Sequence, residues 1–155
     1  MALSGKLSIE IVMHAPAEKF FNLVSKSLHQ VQNICERVHH TKLHQGEDWH
    51  SIGGSVKHWT YVMATDGKVT TCKETIESID EKNKTIKFNL FDGDISQQYK
   101  VLKVTIQEID NSNGSVSAKW TLEYEKINDN VEAPYSYMEY FDKCTKEMDA
   151  HLLKA

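Results

Sequence analysis

Long apolar runs are absent from this chain of 155 residues. No stretch reaches the roughly 18 consecutive apolar residues that a membrane-spanning helix requires. The first 14 residues do not combine a basic start with a continuous apolar segment, so they do not resemble a secretory signal. Residue 2 is alanine and the last four residues are Leu-Leu-Lys-Ala, so no common lipid anchor is encoded. From these absences we expect a cytoplasmic protein without a membrane span.

Cysteine is scarce, and charge of one sign is not concentrated. The three cysteines, Cys35, Cys72 and Cys144, show no Cys-x-x-Cys spacing, so we expect free thiols with no disulfide and no metal site. The net charge is -4 and no basic block occurs, which argues against a nucleic-acid partner. Signatures of phosphate loops and of covalent catalysis are also missing, and no cofactor is expected.

The remaining composition is that of an ordinary globular domain. Hydrophobic residues make up 40% of the chain and charged residues 26%, which is enough apolar surface for one core. The length fits a single domain. No internal repeat, linker or low-complexity segment divides the sequence, so we predict one domain over residues 1–155.

Alternation of apolar and polar residues predicts a first strand at residues 6–14. Pro16 then predicts the start of a helix, since its fixed φ suits the first helical turn, and a second short helix is expected at residues 29–35. Six further strands are predicted at residues 38–45, 55–63, 68–79, 85–91, 98–109 and 115–124. Their short connections carry turn residues such as Gly53-Gly54, Asp66-Gly67 and Asp92-Gly93-Asp94, which favours an antiparallel meander.

A long C-terminal helix is predicted from about Pro134 onward, because apolar residues recur there at helical spacing up to Leu152. An antiparallel sheet must cover its apolar face, and only one long helix is available to do so. The predicted fold is therefore α+β. It consists of a strongly curved seven-stranded antiparallel sheet that grips the C-terminal helix, with two short helices after the first strand.

Several separated motifs resemble those of the major latex proteins. They are residues 42–49 (KLHQGEDW), 53–61 (GGSVKHWTY), 91–94 (FDGD), 124–128 (YEKIN) and 149–153 (DAHLL). This family is similar to the birch-pollen allergen and to pathogenesis-related class 10 proteins. The resemblance implies a helix-grip fold with a large internal hydrophobic cavity and binding of hydrophobic plant metabolites. Some relatives catalyse isomerisation, condensation or ring closure. Ile52 and only two glycines precede Ser55, which departs from the full glycine-rich loop of the pathogenesis-related proteins.

Strand alternation and the resemblance together predict which side chains face a ligand chamber. The expected lining residues are Trp59, Tyr61, Ile86, Phe88, Leu90, Ala118, Trp120, Leu122 and Tyr124 from the sheet, and Tyr137, Met138, Phe141 and Met148 from the helix. Apolar surroundings with few polar groups are typical of small-molecule pockets. Periodicity alone leaves open the alternative that the same residues form a packed core.

Two residues are candidates for catalysis or polar recognition. Lys57 shares a strand face with Trp59, and a lysine there must reach solvent at the strand edge, find a carboxylate or lower its pKa. His39 and His40 are adjacent, so alternation places at most one of them inside. His39 is the candidate for an inward-facing general acid–base.

Three functions remain open at this point. The leading hypothesis is binding or carriage of a small hydrophobic plant metabolite. The second is an enzyme that promotes cyclisation or isomerisation of a reactive terpenoid (iridoid-type) or alkaloid intermediate, because shape and exclusion of water suffice for such reactions. The third is a defence or signalling receptor, with residues 49–54 as its gate. The sequence does not indicate a protein partner.

Overall fold

The computed structural model describes residues 3–63 and 68–154. The predicted turn at Asp66-Gly67 lies outside this part of the chain. The strands are β1 (Ser4–Met13), β2 (Val38–Gln45), β3 (Val56–Val62), β4 (Val69–Asp80), β5 (Thr85–Phe91), β6 (Tyr99–Asp110) and β7 (Val116–Lys126). The helices are α1 (Ala17–Lys26), α2 (Val31–Ile34) and α3 (Ser136–Lys154), with 3-10 turns at Leu28–Gln30 and Gly93–Gln97.

The strands form one antiparallel sheet in the order β1-β7-β6-β5-β4-β3-β2. β2 to β7 follow one another as a meander, since short connections can only join antiparallel neighbours. β1 pairs with β7, so α1 and α2 carry the chain from one edge of the sheet to the other. The predicted α+β fold is confirmed: a curved seven-stranded antiparallel sheet, two short helices after the first strand and a long C-terminal helix.

Successive side chains of each strand divide between an outer face and a concave inner face, because the side-chain period of a strand is two residues. On β5 the buried apolar residues are Ile86 and Phe88, and on β7 they are Ala118, Trp120 and Leu122. These are the faces that alternation predicted. The concave face therefore holds most of the apolar core.

The C-terminal helix α3 packs one stripe of side chains against the concave face. The buried stripe consists of Tyr137, Phe141, Cys144 and Met148, which recur at intervals of three and four residues. Near the end of the helix, the carboxylate of Asp149 accepts hydrogen bonds from the backbone N–H groups of His14 at 3.1 Å and Ala15 at 2.8 Å. This contact ties α3 to the segment between β1 and α1. Among the described residues, no helix combines the length and apolar character needed to cross a membrane.

The predicted turn at Asp92-Gly93-Asp94 connects β5 to β6 and contacts β4. Oδ2 of Asp94 accepts hydrogen bonds from the backbone N–H of Thr71 at 2.9 Å and from its hydroxyl at 3.1 Å. Gly93 has φ +65°, and an added Cβ would lie 2.5 Å from the carbonyl oxygen of Thr71. Glycine is required here both by the left-handed backbone and by this close approach.

Candidate ligand-binding site

A pocket of about 120 Å³ lies between the concave face of the sheet and α3. Most of the residues predicted to face a ligand chamber line it. These are Trp59, Tyr61, Phe88, Leu90, Trp120, Tyr137, Phe141 and Met148. Val24, Leu28 and Val31 of the short helical segments complete the wall. Apolar side chains therefore surround the pocket on three sides.

The other predicted lining residues lie outside this wall. Ile86, Ala118 and Leu122 have no exposed surface and fill the interior of the core instead. Tyr124 packs against Tyr99 with ring centroids 6.4 Å apart, and Met138 is a half-buried residue of α3 that packs against the core. Alternation correctly assigned Ile86, Ala118 and Leu122 to the inner face. It could not tell which inner residues border a void, because that depends on the lengths and rotamers of the neighbouring side chains.

The pocket is smaller than the large cavity that the family resemblance implied. Pockets for drug-sized ligands typically measure about 300–1,000 Å³. Here the ring of Trp120 stacks on that of Phe141, with centroids 4.4 Å apart and an interplanar angle of 21°. This stacked pair occupies space between the sheet and α3. A molecule the size of a steroid or flavonoid therefore requires these rings to change rotamer.

A buried ion pair lies at the sheet side of the pocket. Lys57 and Glu74 are cross-strand partners on β3 and β4, with 0% and 3% of their side-chain surface exposed and Nζ 2.8 Å from Oε2. The Lys57 ammonium also donates to the hydroxyl of Ser55 at 3.4 Å, and the indole N–H of Trp59 donates to Oε1 of Glu74 at 3.0 Å. Of the three options open to a buried lysine, Lys57 has found a carboxylate. The alternative in which it reaches solvent at the strand edge is wrong.

Glu74 is the polar residue of this pair that lines the pocket. Burial raises the pKa of its carboxyl group above the usual value, while Lys57 and the Trp59 indole oppose that shift. A raised pKa makes the carboxylate a stronger base, so it can accept a proton from a bound molecule and return it. Glu74 was not among the site residues predicted from the sequence. The signal was present, since Cys72, Glu74 and Ile76 alternate along β4 as inward-facing residues.

Three tyrosines form a second polar group at the helix side of the pocket. The hydroxyl oxygens of Tyr61 and Tyr137 are 2.7 Å apart, and the ring of Tyr140 lies 5.5 Å from that of Tyr61. Burial raises the pKa of all three phenols, so each stays protonated as a hydrogen-bond donor. Such hydroxyl groups can donate to an oxygen atom of a ligand.

Trp120 contributes an unpaired donor. Only 8% of its surface is exposed, and within the described part of the chain its indole N–H has no hydrogen-bond acceptor. A buried Trp N–H usually finds a partner, and leaving it without one costs about 1–3 kcal/mol. Trp120 lines the pocket, so a ligand with an acceptor atom can supply the missing partner.

The prediction that His39 faces the chamber is wrong. The register of β2 against β3 shifts between Val38 and His40, which is a β-bulge. His39 and His40 are both exposed, and they lie between the buried residues Val38 and Thr41. A bulge leaves one extra residue unpaired and so breaks the alternation on which the prediction depended. His39 instead borders an open surface pocket together with Cys35.

A curved sheet that grips one long helix around an apolar pocket defines a protein of helix-grip architecture. A model of the pathogenesis-related protein Bet v 1 family matches residues 2–155. MLP-like protein 43 of Arabidopsis thaliana is 36% identical over 154 residues, which covers 98% of this chain and 95% of that protein. The chain belongs to the Bet v 1 family, and it is similar to the major latex proteins within it.

Solved structures agree with this assignment. The crystal structure of major latex-like protein 151 from Panax ginseng matches with a TM-score of 0.90 at 29% identity, covering 98% of this chain and 99% of that one. A point mutant of Thalictrum flavum norcoclaurine synthase, in complex with a transition-state analogue, matches with a TM-score of 0.74 at 12% identity, covering 99% and 97%. At that identity the likeness to the synthase concerns the fold alone.

Proposed function

We propose that this protein binds a small hydrophobic molecule that carries at least one oxygen acceptor, in the pocket between the sheet and α3. The observation that carries the proposal is the indole N–H of Trp120, which has no acceptor among the described residues and lies on a residue of the largely apolar pocket wall. Burial of apolar ligand surface supplies about 25 cal/mol per Å² before ordering costs are subtracted. The few polar groups orient the ligand, as in other small-molecule sites.

The test is a binding titration against a panel of oxygenated hydrophobic metabolites, read by quenching of tryptophan fluorescence. Val104 lines the pocket, so Val104→Phe fills part of it and is expected to weaken binding at least tenfold. Val101 lies on the same strand with 37% of its surface exposed, so Val101→Phe is the matched control and should bind normally. Equal affinity of Val104→Phe and wild-type protein would contradict binding in this pocket.

A second candidate function is that of a cofactor-independent cyclase or isomerase acting on a reactive terpenoid (iridoid-type) or alkaloid intermediate. The position of Glu74, a buried carboxyl group of raised pKa that borders the pocket, favours it. In this mechanism Glu74 accepts a proton from the bound intermediate and returns it at another atom. Lys57 holds the carboxylate in position, and the apolar side chains around the pocket limit its contact with water.

This enzymatic proposal is tested by incubating the protein with unstable precursors and analysing products by mass spectrometry. We expect product to form faster than in a protein-free control, and the excess rate to fall at least 100-fold in Glu74→Gln. Glu77→Gln is the control, because Glu77 lies on the same strand but is exposed and paired with Lys103 at 2.9 Å. Full activity in Glu74→Gln would exclude this carboxyl group from the reaction.

The receptor hypothesis stays a prediction. Its proposed gate, residues 49–54, includes Trp49, whose ring lies 5.8 Å from that of His29. Cytoplasmic localisation and the absence of a nucleic-acid partner also stay predictions.

A further inference from the structure

Three potential metal-ligand atoms meet where α2 ends against α3. The sulfur atoms of Cys35 and Cys144 and a carboxylate oxygen of Glu147 all lie within 4.8 Å of one another. Cys35 directly follows α2, while Cys144 and Glu147 are three residues apart on α3 and therefore share a helix face. The two cysteines are 109 residues apart in the sequence, so their spacing carried no metal-binding signature.

The donor set suits a thiophilic divalent cation. Two thiolates and a carboxylate are established zinc ligands, and tetrahedral coordination with Zn–S bonds of about 2.3 Å places sulfur atoms about 3.8 Å apart. The three donor atoms lie within 4.8 Å of one another, so the sulfur atoms are at most about 1 Å too far apart, which side-chain rotation can close. The three residues could thus provide three ligands and leave one position for water.

The carboxylate of Glu147 is only partly satisfied within the described residues. Oε1 of Glu147 is buried, and within residues 3–63 and 68–154 it has no hydrogen-bond partner. The Cys35 thiol donates a hydrogen bond to the carbonyl oxygen of Cys144, 3.7 Å from its sulfur atom. Buried polar atoms without partners are rare in folded proteins, and an ion bound between these three residues would give the Glu147 carboxylate a partner.

An occupied site carries only a small net charge. Two thiolates, one carboxylate and a divalent cation sum to a charge of −1. Nζ of Lys143 lies 3.9 Å from Oε2 of Glu147 and 3.4 Å from Oε2 of Glu36, so a cationic group stands beside the carboxylate. Cys35 also borders the surface pocket that contains His39, which provides a route for an ion and a water molecule.

We propose that Cys35, Cys144 and Glu147 bind a thiophilic divalent cation of the Zn²⁺ class, with water as the fourth ligand. Binding releases the two thiol protons, so affinity increases with pH. The bound ion links the end of α2 to the middle of α3. One of its ligands, Cys144, also lines the pocket between the sheet and α3, so the ion lies next to the site of the hydrophobic ligand.

The test is metal binding by the reduced full-length protein. We expect one equivalent of Zn²⁺ in a calorimetric titration, and Co²⁺ to give the ultraviolet thiolate-to-metal charge-transfer band and the intense visible bands of tetrahedral coordination. Cys35→Ser and Cys144→Ser each keep one thiolate, so each should lose about half of the charge-transfer intensity and at least tenfold in affinity. Glu147→Gln should weaken binding while retaining the full thiolate band. Cys72→Ser is the matched control, because Cys72 is a buried thiol outside the cluster.

Unfolding temperature gives a second readout that reports whether the variants fold. Zn²⁺ should raise it for the wild-type protein and for Cys72→Ser, but not for Cys35→Ser or Cys144→Ser. Absence of stoichiometric Zn²⁺ binding, or a Co²⁺ complex without the thiolate band, would overturn the proposal. So would a folded Cys35→Ser variant that binds Zn²⁺ as tightly as the wild-type protein.

Discussion

Replacing Lys57 with methionine removes the cation from the buried ion pair and leaves Glu74 with only 3% of its side chain exposed. The indole N–H of Trp59 remains as a hydrogen-bond donor to the carboxylate, but no positive charge replaces the ammonium group. Removing one member of a buried ion pair typically costs about 3–5 kcal/mol. Since the whole domain is expected to be stable by only about 5–15 kcal/mol, the variant loses a large fraction of its free energy of unfolding.

Urea unfolding followed by circular dichroism measures this loss. The free energy of unfolding of a domain of this size falls by about 2 kcal/mol per M urea, so the unfolding midpoint of Lys57→Met should be lower than that of the wild-type protein by about 2 M urea. The double variant Lys57→Met/Glu74→Leu should recover most of the difference, because two apolar side chains then replace two buried charges. Lys103→Met is the control, since Lys103 is 30% exposed and its ion pair with Glu77 is worth less than about 1 kcal/mol.

The effect of Lys57→Met should depend on pH in a defined direction. Burial already raises the pKa of Glu74, and loss of the lysine raises it further. A carboxyl group whose pKa is higher in the folded than in the unfolded protein makes its full contribution to stability at pH values below the unfolded-state pKa. This contribution is lost as the pH rises through the folded-state pKa. The loss of free energy of unfolding in Lys57→Met, relative to the wild-type protein, should therefore be largest at alkaline pH and become smaller as the solution is acidified. An unchanged midpoint in Lys57→Met, or a double variant no more stable than the single one, would refute this reasoning.

Two other substitutions test the fold. Burial and the nearby carboxylates of Asp110 and Asp149 raise the pKa of Glu108 to about 8 from 4.5, so wild-type stability should fall as pH rises from about 4.5 to about 8. Glu108→Gln should remove this dependence of stability on pH, and at pH 7 it should be more stable than the wild-type protein by up to about 3 kcal/mol in thermal or urea unfolding. Equal pH profiles of the two proteins would show that Glu108 ionises freely. Gly93→Ala should destabilise by more than about 1 kcal/mol in the same assay, because its Cβ meets the carbonyl of Thr71 and its φ is positive. A Gly93→Ala protein of wild-type stability would show that the turn can shift.

The sequence by itself determined the element order, the antiparallel sheet and most inward-facing positions. Trp59, Phe88 and Trp120 could be assigned to the inner face because regular strands have a strict period of two. The same rule failed for His39, since one extra residue in the β2 bulge ended the alternation. The local sequence pattern therefore predicts which side of the sheet a side chain faces only as long as the strand is regular.

Only the tertiary structure decided which inward residues meet and what lies between them. Glu74 became the partner of Lys57 through the register of β3 against β4, and Cys35 met Cys144 through the packing of α2 on α3. The volume of the pocket depends on the stacking of Trp120 on a helix residue, which is a choice of rotamer. Periodicity follows from the backbone of each segment, whereas these contacts follow from the close packing of segments that are distant in the chain.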